Sequence, residues 1–140
     1  HEKKQAYLAE LHARVEQLGL SEHVTFVGHR SDIREWLAAS DIVLSLSAKA
    51  ETFGRTTLEA ISVGTSAVGW NRGGVAEILN RCYPQGLVEA ENEDALLRTV
   101  EQLLSNPQPP AQVYDFQLTQ MTDQTLALYA EMIQTKEKTT

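Results

Sequence analysis

The chain has 140 residues, with 12 Lys+Arg against 19 Asp+Glu and a formal net charge of −7. That length fits one domain burying about 70% of its unfolded surface, and the acidic balance excludes a protein that lives on a phosphate backbone, which needs a cationic footprint. A single cysteine, Cys82, excludes an internal disulfide framework and a cysteine-based zinc site, and no apolar run approaches a membrane span of roughly 18–20 residues.

The first segment places Leu8, Leu11, Val15 and Leu18 at steps of three and four, one apolar face of a helix from Lys3 to Leu18, with Gly19 as its stop. Val24–Val27 is β-rich, ends in Gly28 and reads as a strand. A loop at His29–Ser31 follows, and Asp32 with Glu35 can form a capping box for a short helix ending near Ser40. The run Ile42–Leu46 is almost continuously apolar, as a strand covered on both faces should be. Ser47–Thr52 is a loop, Gly54–Val63 turns helical, and Ser66–Gly69 is a short strand. Gly73-Gly74 opens a helix through Leu79, and Gly86–Val88 holds a weaker strand. Asn92 can cap a helix carrying Leu96, Leu97, Val100, Leu103 and Leu104. Three prolines at 107, 109 and 110 break the chain. A last helix is expected from about Leu118 to Gln134, before a frayed polar tail at 136–140.

Short strands alternating with helices imply an α/β fold, a Rossmann-like parallel sheet with helices on both faces. Four parallel strands are expected, at 24–27, 42–46, 66–69 and 87–88. Ligands of such sheets bind beyond the carboxyl ends of the strands. Three loops leave strands there: Gly28–Ser31, Ser47–Thr52 and Trp70–Gly74.

The segment from Ser47 to Ala60 carries the most chemistry. A strand enters a loop, Gly54 sits at the turn, and a helix begins whose free N–H groups and dipole suit an anion. Glycine there leaves room for a phosphate to approach the backbone. Glu51 and Glu59 flank the junction, eight residues apart. Carboxylates repel a diphosphate, so their use would be to accept hydrogen bonds from sugar hydroxyls. The spacing does not select them, since Glu2/Glu10 and Glu93/Glu101 share it. Only Glu51/Glu59 surrounds a strand–glycine–helix junction. Locally, a solvated loop glutamate and a helix-surface glutamate remain an open alternative.

Five linked motifs carry a resemblance: Val24-x-Phe26-x-Gly28; Ala39-Ser40-Asp41-Ile42-Val43-Leu44-x-Leu46-Ser47; Glu51-x-Phe53-Gly54-x4-Glu59-Ala60; Gly64-Thr65; and Gly73-Gly74-x-x-Glu77-Ile78. In that order and spacing the chain resembles, over roughly residues 5 to 132, the C-terminal lobe of family 4 retaining glycosyltransferases of the GT-B fold. The stretch from Phe116 to Tyr129 is similar to the family's final helix. The resemblance implies the donor-binding part of an enzyme that moves a sugar from a nucleotide diphosphate sugar to an acceptor hydroxyl. Bacterial surface polysaccharide or lipopolysaccharide synthesis is the implied setting. Glu51 would contact the donor sugar and serve catalysis, and Glu59 would bind the ribose hydroxyls. Phe53, Gly54 and Arg55 would lie against the diphosphate and sugar. His29 and Arg30 would flank the nucleobase, Gly73 and Gly74 would sit near the site, and Ser47 matches a serine at the end of its strand. The resemblance implies no cofactor beyond the donor and no metal.

Leu46 stands where the family often has proline, and Thr52 where it often has glycine. Arg55 and Trp70 are less typical of it. The family's lobe also begins with a strand and loop carrying an Arg and a Lys that clamp the diphosphate, then a helix and a second strand. This chain starts at the helix after them, at His1 without an initiator methionine or signal pattern. Residues 1–135 are therefore expected to be a partial donor-binding lobe, inactive alone, with unpaired strand edges beside Val24–Val27 and Ile42–Leu46. An acceptor glycan or glycolipid would bind through the missing N-terminal lobe. Expected partners exclude nucleic acid and a direct membrane span. The expected location is cytoplasmic, peripheral to the inner face of the membrane in the full-length protein. Two alternatives stand beside this reading: a GT-B-type nucleotide-sugar epimerase, and a non-catalytic α/β interaction module.

The remaining residues read more plainly. His1, His12, His23 and His29 show no metal-ligand spacing with each other or with Cys82. Cys82 is expected as a partly buried loop thiol, Trp36 as core packing and Lys49 as solvated. Trp70 ends a strand at the ligand face, open to either packing or ligand contact. Met121, Leu128 and Met132 are expected to form an apolar stripe for core or lobe contact.

Overall fold

The computed structural model describes residues 2–111 and Ala127. The final helix expected over 118–134, its apolar stripe and the polar tail therefore lie outside the described residues, Ala127 apart. The chain divides into two compact units, His1–Asp32 and Ile33–Thr140.

The first unit is built on α1 (Glu2–Gln17). Gly19 ends it in the left-handed region, at φ 66°. Its N–H donates to the Glu16 carbonyl and that of Leu20 to the Val15 carbonyl, both at 3.0 Å. These paired bonds close the helix and satisfy its last carbonyls. The turn continues as Val24 N–H donates to the Leu20 carbonyl at 3.0 Å. The expected strand at 24–27 does not form: no ladder pairs it among the described residues, and Val24, Phe26 and Val27 stay exposed. Branched and aromatic side chains favour a strand only where another strand takes up the backbone N–H and C=O groups. Phe26 instead meets the His12 ring, with centroids 4.1 Å apart.

The second unit carries α2 (Ile33–Ala39), β1 (Ile42–Ser45), α3 (Arg55–Ser62), β2 (Ser66–Trp70) and α4 (Gly73–Cys82). A 3-10 turn at Pro84–Gly86, β3 (Leu87–Val88) and α5 (Glu93–Ser105) follow. The strands form one parallel sheet in the order β1-β2-β3. Ile42 pairs with Ser66 and Ser45 with Gly69, and Trp70 with Val88. This is the α/β, Rossmann-like arrangement, with three strands rather than four among the described residues. All five residues of β2 are buried, because α3, α4 and α5 pack on it. Ile61, Val68, Ile78, Leu79 and Tyr83 form the driest part of the core. The outer edge of β1 has no strand partner among the described residues, and Leu44 on it is exposed.

Local chemistry sets the element ends. Asn92 caps α5 as expected, its Oδ1 accepting from Ala95 N–H at 2.9 Å, with Glu93 and Asp94 complementing the dipole in the first turn. β1 stops at Ser45, one residue short of Leu46. α4 runs on past Leu79, so Cys82 lies half-buried at a helix end rather than in a loop. Trp36 is 42% exposed; on α2 the core position belongs to Leu37. The 3-10 turn was not legible, and its neighbour Tyr83 is a buried polar anchor. The Tyr83 hydroxyl donates to the Gln108 carbonyl at 2.5 Å and meets Ser66 Oγ at 2.9 Å. Replacing Tyr83 with Phe removes both of these bonds and leaves Ser66 Oγ only its 3.5 Å contact with the Gln108 carbonyl. Tyr83→Phe is expected to cost about 0.5–1.5 kcal/mol per bond lost, measured as a lower urea midpoint with an unchanged m-value.

Candidate functional site

Two helices start side by side at the carboxyl end of the sheet. The loop after β1 leads into α3, and the two residues after β2 lead into α4. Gly54 caps α3 in the left-handed region, at φ 67° and ψ 40°, and no side chain caps the helix. A Cβ at Gly54 would lie 2.9 Å from Val75 N and 3.1 Å from Gly74 C. The glycine is therefore demanded by the first turn of α4, independently of any phosphate. Gly73 and Gly74 answer from the other side. A Cβ at Gly73 would meet Glu51 O at 2.5 Å, and one at Gly74 would meet Phe53 C at 2.5 Å. The contact closes with Gly74 N–H donating to the Glu51 carbonyl at 2.7 Å. Two helix N-termini are thus locked backbone to backbone, and their dipoles favour negative charge beside them.

The expected site residues fall into four places. Ser47 and Glu51 come together with Ser45, Lys49, Trp70, Arg72 and Val75 around a cavity of about 10 Å³, roughly one water in size. Trp70, 8% exposed, is both packed in the sheet and a wall of that cavity. Phe53, Gly54, Gly73 and Gly74 build the backbone junction, and Phe53 is exposed. Glu59 lines a separate, open cavity of about 360 Å³ with Ile33, Arg34, Ser62 and Val63. Arg55 lies one turn before it, with Arg55 Nη2 3.6 Å from Glu59 Oε1. This exposed pair is worth little energetically, but it turns both side chains along one side of α3. His29 and Arg30 belong to the first unit. There the Arg30 guanidinium makes two 2.8 Å bonds to both carboxylate oxygens of Asp32.

Three residues stand out that the motifs did not supply. Arg72, the N-cap residue of α4, donates through Nη1 to the Ala48 carbonyl and through Nη2 to Glu91 at 3.0 Å. Its signal was its place at a strand end, directly before the glycine pair. Arg34 shares a cavity with Glu59 from 25 positions away, and no local pattern announces that. Thr57, in the first turn of α3, is 1% exposed, and its Oγ1 has no hydrogen-bond partner among the described residues. Among those residues, no group of three or more His, Cys, Asp and Glu side chains could hold a metal ion. None of their helices is long and apolar enough to cross a membrane.

A family model described as "Glycosyl transferases group 1" matches residues 4–116. The N-acetyl-alpha-D-glucosaminyl L-malate synthase of Bacillus anthracis is 33% identical over 92 residues, which is 66% of this chain and 24% of that protein. The lipopolysaccharide core biosynthesis mannosyltransferase LpcC of Rhizobium leguminosarum bv. viciae is 30% identical over 102 residues, 73% of this chain and 29% of that one. The crystal structure of Anabaena Alr3699/HepE in complex with UDP and glucose superimposes with a TM-score of 0.70 at 30% identity, over 76% of this chain and 29% of that one. The chain thus spans less than a third of the length of these relatives.

The junction makes one demand that can be measured. A methyl group at Gly74 has nowhere to go except into the Phe53 backbone. Gly74→Ala is expected to cost about 1–3 kcal/mol by overpacking. Amide resonances of residues 50–55 should shift with it, while those of α5 stay in place.

Proposed function

The chain belongs to the glycosyl transferases group 1, and from that premise we propose that it is the donor-binding part of a retaining enzyme of this family. The parent reaction moves a sugar from a nucleotide diphosphate sugar to an acceptor hydroxyl with its anomeric configuration kept. The observation that carries this reading is the junction of Glu51, Gly54 and Gly73-Gly74 at the carboxyl end of a parallel sheet. A diphosphate fits a place where two helix N-termini face it, and a sugar fits beside a carboxylate on the adjoining loop.

In this reading Glu51 orients the reacting sugar, and Glu59 grips the ribose diol in the larger cavity. The backbone of Phe53, Gly54 and Arg55 lies against the diphosphate. Ser47 helps to floor the sugar site, and His29 and Arg30 flank the nucleobase. No protein nucleophile and no cofactor are assigned. Catalysis rests on positioning and on stabilising the leaving diphosphate with N–H groups and cations. The acceptor, a glycan or glycolipid, docks on a further lobe of the longer protein. In this reading residues 1–135 are part of the C-terminal lobe of its GT-B fold. The full-length enzyme works in the cytoplasm, peripheral to the inner face of the membrane, in surface polysaccharide or lipopolysaccharide synthesis. A relative of similar fold holds UDP and glucose, which makes UDP-sugars the first donors to test.

Two outcomes follow. In the full-length enzyme, Glu59→Ala should mainly raise the donor KM, because a ribose contact exists in both ground and transition states. Glu51→Ala should mainly lower kcat, because it orients the reacting carbon. Steady-state kinetics with both variants near wild type would remove the assignment. Residues 1–140 alone should transfer no sugar to any acceptor in a panel read by mass spectrometry. Without an acceptor surface the reaction loses a proximity term of about 7–11 kcal/mol.

A further inference from the structure

Arg72 links the loops that leave all three strands. It stands in the loop after β2. Its Nη1 donates to the Ala48 carbonyl in the loop after β1. Its Nη2 donates to Glu91 Oε1, 3.0 Å away, in the loop after β3. The guanidinium side chain is 24% exposed and Glu91 74%, so the bridge runs from the cavity outward. Backbone bonds fix the middle of the bridge: Asn71 N–H donates to the Val88 carbonyl at 2.7 Å, tying this loop to β3, and Arg72 N–H donates to the Trp70 carbonyl at 2.8 Å in a local turn. Glu91 itself takes a left-handed conformation, φ 64°, unusual for a non-glycine residue.

The Ala48 carbonyl lies three residues before Glu51, in a loop with no helix or strand of its own from Leu46 to Gly54. At its far end this loop is tied to α4 by the Gly74–Glu51 bond. Arg72 supplies the near tie. We propose that Arg72 is a positioning residue of the donor site, a two-ended bridge that holds the Ser47–Glu51 loop against the loop after β3 and so sets the place of the Glu51 carboxylate. The proposal rests on the donor reading of Glu51. The residue type matters, because a planar guanidinium can donate in two directions at once. A lysine ammonium carries the same charge but no rigid fork. A guanidinium engaged by a carboxylate also has its charge matched, which sets Arg72 apart from a cation waiting for phosphate.

The test uses the full-length enzyme with Arg72→Ala, Arg72→Lys and Glu91→Gln, and the nucleotide sugar that wild type turns over. Both Arg72 variants are expected to lose kcat about ten- to a hundredfold, as a displaced orienting group does. Affinity for the free nucleoside diphosphate should stay within about twofold, since Glu59 is untouched. Hydrogen–deuterium exchange should rise over residues 47–53 and stay level over α5. Glu91→Gln, which keeps the Ala48 bond, should show the same pattern at smaller size, and it carries the test if Arg72→Ala fails to fold. Full activity in Arg72→Lys would mean that only the charge matters, and would overturn the bridge. Unchanged exchange over 47–53 in Arg72→Ala would overturn it as well. If wild type turns over no nucleotide sugar, the donor reading falls and the exchange measurement still decides the bridge.

Discussion

The second unit depends on a steric constraint: two helices must begin within backbone contact of each other. Gly54, Gly73 and Gly74 each occupy a point where a Cβ would come within 3 Å of the opposing chain. The single bond from Gly74 N–H to the Glu51 carbonyl then fixes the register of the two segments. Everything at the carboxyl end of the sheet inherits its position from that contact. The Glu51 loop has one face against α4. α3 leaves at an angle set by its left-handed cap, and Glu59 is carried along it.

This arrangement separates stability from chemistry. The core below is apolar and dry, centred on Val68, Ile61 and Leu79. Polar groups enter it only with partners, as Tyr83 does with Ser66 and Gln108, and Thr57 is the exception among the described residues. The rim above is made of loops whose side chains are charged and partly exposed. An ion pair such as Arg55–Glu59 adds little to folding there. It does align both side chains along one side of α3. The cavity beside Glu51 is about the size of one water, while that beside Glu59 is far larger. The two carboxylates therefore face spaces of very different size within this unit.

Much of this was legible in the residues. Periodicity located α1, α3, α4 and α5 within a few positions, because an apolar stripe or a cap is a local signal. Asn92 announced the start of α5 through its own side chain. The apolar run at Ile42 and the short one at Ser66 announced buried strands, and glycine pairs announced helix starts. Linked motifs located Glu51, Gly54, Glu59 and Gly73-Gly74 around the ends of those strands. Trp36 and Val24–Val27 misled for a shared reason: an apolar residue signals that it can be buried, and only a neighbour decides whether it is.

What the sequence determined by itself was the class of fold and most of its elements, since these are written in local pattern, while the family came as a resemblance carried by linked motifs. Tertiary structure alone decided the rest. It made Gly54 a packing requirement of α4, where the residues had suggested room for a phosphate. It divided Glu51 and Glu59 between two cavities and gave Glu59 the company of Arg34. It joined Arg72 to Ala48 and Glu91, positions 24 and 19 residues away. It also left 24–27 without a ladder. Contacts between distant positions depend on how loops close in space, and side-chain chemistry read along a chain carries no record of that closure.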